Sequence, residues 1–164
     1  MLQQGPATRD KRLRWYCPTV SGVVLPAILV VFARTFFLRA FFDVPPIPAY
    51  LYVHGVVLTA WFALVFAQTV LVARDRTAEH RRLGVVAAVV AVLVVPISAY
   101  VAIRAVPRGF AAGLPKTAIQ QVVLGDLFSL VEFSAFVGTG LYLRRRPDIH
   151  KRLMIASCFV FRVL

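Results

Sequence analysis

The sequence predicts an all-α fold, a polytopic transmembrane helical bundle of about five spans with the fifth incomplete. Three observations predict it. Apolar runs long enough to cross a bilayer recur along the 164 residues. Apolar residues make up 60% of the chain and the mean hydropathy is +0.78, which is more apolar surface than a soluble domain of this length can hide. The basic residues stand in short blocks between the runs, where orientation signals of membrane proteins sit.

The clearest span is 50–73, YLYVHGVVLTAWFALVFAQTVLVA, with His54 and Gln68 as its strongly polar side chains. At about 1.5 Å per residue it covers a hydrocarbon core of about 30 Å. The basic turn RDRTAEHRRLG follows, and the chain returns through a span at 83–103 that Pro96 interrupts. The first span is 15–33 and contains Pro26, which a membrane helix tolerates as a kink. Trp15 and Tyr16 open it at the place of an aromatic belt. Residues 1–14 are polar and carry Arg9, Lys11, Arg12 and Arg14, so a disordered cytoplasmic tail is expected. A signal peptide is the rival reading. The run is long for an h-region and no A-x-A site follows it, which favours a retained anchor.

Residues 34–42 either extend the first helix or lie flat at the interface with arginines on lipid phosphate. DVPPIP, at 43–48, reads as a stiff extended connector. Pro107, Gly109, Gly113 and Pro115 mark 104–116 as a loop, and the fourth span is 118–143. RRRPDIHKR then leads into a fifth span at 153–164, whose twelve residues are too few to cross a membrane. The expectation is a fragment of a longer chain, with 15–164 as a single transmembrane domain.

Orientation follows from Lys and Arg. The tail and the blocks after the second and fourth spans share one side and hold 13 basic residues, against 5 for Arg34, Arg39, Arg104, Arg108 and Lys116 on the other. The N-terminus is therefore expected in the cytoplasm. The net charge of +12 does not point to nucleic acid, because its basic residues are dispersed among apolar runs instead of lining one surface. Cys17 and Cys158 form no C-x-x-C pair and no zinc spacing, so buried free thiols are expected.

The chain also echoes itself. RDRTAEHRRL at 74–83 and RRRPDIHKRL at 144–153 both follow a span, and both place a histidine three residues before a leucine. Two copies of a helix–loop–helix unit, parallel in topology, would give this pattern and would put His80 and His150 at equivalent positions on the cytoplasmic face.

These motifs carry a resemblance. HG, then Trp61 and Gln68 along one span, then HRRLG and later RRPDIHKRLM, resemble a group of poorly characterised bacterial inner-membrane proteins over residues 44–158. The resemblance implies a helical membrane fold, an inner-membrane location and further spans after HKRLM; it implies no reaction. Histidines in a small helical bundle are also similar, more remotely, to b-type cytochromes of the membrane.

Polar residues within the spans are the candidate functional groups, because each costs free energy in lipid and usually faces protein or a cavity. His54, Trp61 and Gln68 are spaced by seven and make one slowly drifting stripe. On the fourth span, Gln121, Ser129 and Glu132 share an arc with Asp126 at its edge. The plain alternatives are an Asp126–Arg34 pair that only holds helices together, a solvated interfacial His54, a Trp61 that only packs, and loop histidines that cap helices or meet lipid phosphate.

Three functional classes are open. One is an accessory or small-ligand-binding membrane protein using His54, Trp61, Gln68, Asp126, Ser129 and Glu132, partnered by the bilayer and by another membrane protein or a second copy. The second is a redox protein with b-type haem or a metal on His80 and His150. The third is a carrier or proton relay through His54, Asp126 and Glu132. No nucleophile–base pair, phosphate loop, Rossmann fingerprint or zinc protease motif is present, so the reading leans away from an enzyme.

Overall fold

The computed structural model describes residues 6–42 and 46–160, with side chains described from residue 15 onward except at 35. The protein is an all-α helical bundle. Its helices are α1 (Pro6–Phe32), α2 (Ala49–Ala73), α3 (Thr77–Ala111), α4 (Lys116–Tyr142) and α5 (Pro147–Ala156), and no strand occurs among the described residues. The first four are long and apolar enough to cross a membrane. Large apolar side chains such as Val30, Val92 and Phe128 are exposed along these helices. Water would penalise that surface and lipid does not, so the chain is an integral, multi-pass membrane protein.

Packing runs α1–α2–α3–α4–α5 and returns from α5 to α1. The core lies inside this ring. Trp61 and Phe62 of α2, Ala91 and Val94 of α3, Phe133 and Val137 of α4, and Cys158 and Val160 beyond α5 meet there. Trp61 and Phe133 stand edge to face with centroids 5.2 Å apart, the arrangement that aromatic quadrupoles favour. Polar bonds tie the periphery to the core. Ser21 of α1 and Thr69 of α2 join through hydroxyls 2.9 Å apart, and Ser129 Oγ donates to the Val160 carbonyl at 2.9 Å.

Three boundaries differ from expectation. The helix reaches back to Pro6 through most of the expected disordered tail, while residues 1–5 lie outside the described residues. Proline suits a first helical position and lysine and arginine are good helix formers, so nothing between Pro6 and Trp15 stops the helix. The expected loop at 104–116 shortens to 112–115, because α3 continues through Pro107 and Gly109. A proline sacrifices one helical bond, and close packing of Gly109 on Ile119 of α4 holds the segment: a Cβ added there would lie 2.6 Å from Ile119 Cγ1. At 35 residues, α3 is about 52 Å long and overshoots a bilayer core of about 30 Å.

The expected fifth span is the largest difference. Its helix starts earlier, at Pro147, and stops at Ala156; a turn follows, and 161–164 lie outside the described residues. Ser157 Oγ, at 2.7 Å, and Cys158 Sγ, at 3.8 Å, both donate to the Met154 carbonyl. Such side-chain bonds compete with helical ones. Ser157, Cys158 and Val160 then turn into the core.

Between α1 and α2 the chain makes a π-helical turn (Ala33–Phe37) and a 3-10 turn (Arg39–Phe41). Residues 43–45 of the expected connector lie outside the described residues; 46–48 are extended coil leading to α2. The π turn lays the Phe36 ring on Gly55, where any Cβ would come within 2.6 Å of Phe36 Cε2.

Candidate functional site

Gly55 lets the Phe36 segment close one side of a cavity between α1, α2, α3 and α4. The cavity measures about 160 Å³, a size that can hold a molecule such as benzene. Ile28, Phe32, Leu58 and Phe62 give it apolar walls, and His54, Ser98, Asp126 and Ser129 give it polar ones. His54 Nδ1 lies 3.3 Å from Ser98 Oγ, which fixes the ring against α3. Ser129 spends its hydroxyl hydrogen on Val160, and His54 and Asp126 are the titratable groups of the lining. Arg108 is within electrostatic reach of Asp126. Arg34 lies instead over the Phe42 ring, 5.7 Å from its centroid.

A second cluster forms at the opposite end of α2. His80 and His150 meet with ring centroids 6.4 Å apart and planes at 80°. Each is the fourth residue of its helix, and each donates its backbone N–H to the carbonyl of the arginine before that helix, at 3.0 Å. The side chains at these starts also match. Arg76 forks onto Glu79, with Nε to Oε1 at 2.6 Å, and Lys151 bonds Asp148 at 2.6 Å. The Lys151 ammonium holds the exposed Asp148 carboxyl below the usual carboxylate range. Acids in a first turn also suit the helix dipole.

The stripe of three on α2 therefore divides. His54 lines the cavity. Trp61 is buried in the core at 2% exposure, its Nε1 unpartnered. Gln68 belongs with the histidine pair: its backbone lies beside the His80 ring, and its amide lies against Gly84. On α4, Asp126 and Ser129 reach the cavity, while Glu132 is half-buried and outside its lining. Six residues of helix put Glu132 about 9 Å along the axis from Asp126, so the three-residue relay of His54, Asp126 and Glu132 is not assembled in one space.

No family model matches this chain. No curated protein and no solved structure is similar to it either. Its chemistry is therefore read from its own side chains. The cavity offers a carboxyl acceptor and an imidazole to a small guest. No group of three or more His, Cys, Asp or Glu that could hold a metal occurs among the described residues. Sequence reasoning missed Ser98 and Phe36. Ser98 carried a usable signal, a hydroxyl two residues after Pro96 in an otherwise apolar run. Phe36 carried none, since it reaches the site through an irregular turn.

Proposed function

We propose that the chain is a small-ligand-binding protein of the bacterial inner membrane, with its N-terminus in the cytoplasm. One observation carries the ligand-binding reading: His54 of α2 and Asp126 of α4 face a single cavity whose other walls are mainly aliphatic and aromatic. Apolar walls with a few convergent polar groups are the usual composition of a small-molecule site. The location rests on the motif resemblance, and the orientation on the 13-to-5 division of basic residues, which puts the cavity in the outer half of the membrane.

The cavity suits a guest with a short apolar body and one hydrogen-bond donor. The body occupies the side lined by Ile28, Leu58 and Phe62, and the donor meets Asp126. A melting screen of the purified protein against short-chain amines and alcohols tests this. At least one class should raise the melting temperature of the native protein, and the shift should vanish in Asp126→Asn and in the cavity-filling Ser129→Phe. The reading falls if no compound shifts the native protein and protein taken from membranes carries no bound small molecule by intact mass.

A further inference from the structure

The His80–His150 contact has a spacing that bears on metal chemistry. An imidazole nitrogen binds an ion at about 2.0 Å, and the ring centre lies about 1.1 Å behind that nitrogen. Two imidazoles on opposite sides of one ion then have centroids about 6.2 Å apart, against about 5.1 Å at a tetrahedral angle. The observed 6.4 Å matches the opposed arrangement.

Each ring keeps one nitrogen free of the neighbouring backbone. His150 Nδ1 sits 2.8 Å from the Gly140 carbonyl, which can only accept, so Nδ1 carries the hydrogen and Nε2 is bare in the neutral ring. His80 is the mirror case. The Gln68 backbone lies beside its ring, and its Nδ1 is buried without a partner, so Nδ1 is the nitrogen left free for an ion. A backbone carbonyl on the far nitrogen is the support that metal-bound histidines usually have.

We propose that His80 and His150 are the two ligands of a copper(I) site at this end of the bundle. Charge selects the ion. The segments 74–82 and 144–152 hold nine Lys and Arg against three acids, a surrounding that penalises a dication more than a monovalent ion. Coordination number selects it again. Zinc takes four ligands, and the described residues bring no third His, Cys, Asp or Glu to the pair. Copper stands at the top of the divalent affinity order, and its monovalent form accepts soft and imidazole donors. Met154 adds a thioether one turn along α5 from His150, its methyl group against Gly140.

Competition between the detergent-solubilised protein and a chromophoric copper(I) chelator under ascorbate tests the site. Two variants keep the supporting hydrogen bond and delete only the ligand atom. His150→Asn can still donate to Gly140 from its amide, and His80→Gln keeps an amide beside the Gln68 backbone. The native protein should take one copper(I) per chain, and each variant should bind at least tenfold more weakly with unchanged helical circular dichroism. His54→Ala should bind as the native protein does. Retention of copper by the His80→Gln/His150→Asn double variant overturns the assignment. So does the absence of binding by the native protein. Haem b, added separately, should give no Soret shift that depends on both histidines; such a shift would overturn copper in favour of iron.

Discussion

His80 of α3 and His150 of α5 meet at one end of the bundle with ring centroids 6.4 Å apart, each as the fourth residue of its helix. Two stretches with the same local chemistry converge in space. Each begins with an arginine whose carbonyl receives the histidine N–H, and each carries an acid–base pair in its first turn. The Gln68 and Gly140 backbones, on α2 and α4, complete the cluster. The repeat thus has a structural consequence at its histidines, although α5 is only 10 residues long and α3 is 35.

The length of α3 separates the two ends of the molecule across the membrane. A fluorescent reporter fused after Arg76 should be cytoplasmic and bright, and alkaline phosphatase fused after Gly113 should be external and active. Reversed activities at these two points would overturn the orientation drawn from the basic residues.

Three glycines should rank in a fixed order when changed to alanine. At Gly109 the new methyl group meets buried Ile119 at 2.6 Å, a stiff branched side chain, so a loss of about 2 kcal/mol is expected. At Gly140 it meets the Met154 methyl at 2.5 Å, the far end of a flexible chain that can swing away, so the loss should be smaller. At Gly138 nothing lies within 4 Å, and replacing a mid-helix glycine should stabilise by about 0.5 kcal/mol. Melting temperatures in one detergent would expose any other order.

Trp61 should behave as a core residue. It is 2% exposed and packs on Phe133. Trp61→Ala should cost about 3 kcal/mol through the void it leaves. Trp61→Phe should cost much less, because the indole N–H makes no hydrogen bond that would be lost. Equal losses in chemical or thermal unfolding would show that the N–H matters.

The two acids of α4 should separate by function. Asp126→Asn should abolish the melting shift produced by a cavity ligand, because Asp126 lines the space. Glu132→Gln should leave that shift intact, because Glu132 does not. If both substitutions abolished it, the relay of His54, Asp126 and Glu132 would return to consideration.

The sequence alone determined the membrane class, the existence of the helices and the equivalence of the two histidine turns. Those properties depend on local facts: the length of an apolar run, the position of a histidine after an arginine, the period of a stripe. It could not determine which polar groups share a space. His54, Trp61 and Gln68 are spaced by seven, yet the bundle assigns them to a cavity, a core and a histidine cluster, because a helix of 25 residues spans three depths with different neighbours. Helix ends were also hidden where packing overrode local signals. Gly109 and Pro107 read as a loop, yet α3 runs through both with Gly109 packed against Ile119, and the helix expected from 153 starts at Pro147 and ends at Ala156, where Ser157 and Cys158 bond Met154. Composition fixes the solvent a helix needs, but contacts between helices decide where each one stops and what each polar side chain meets.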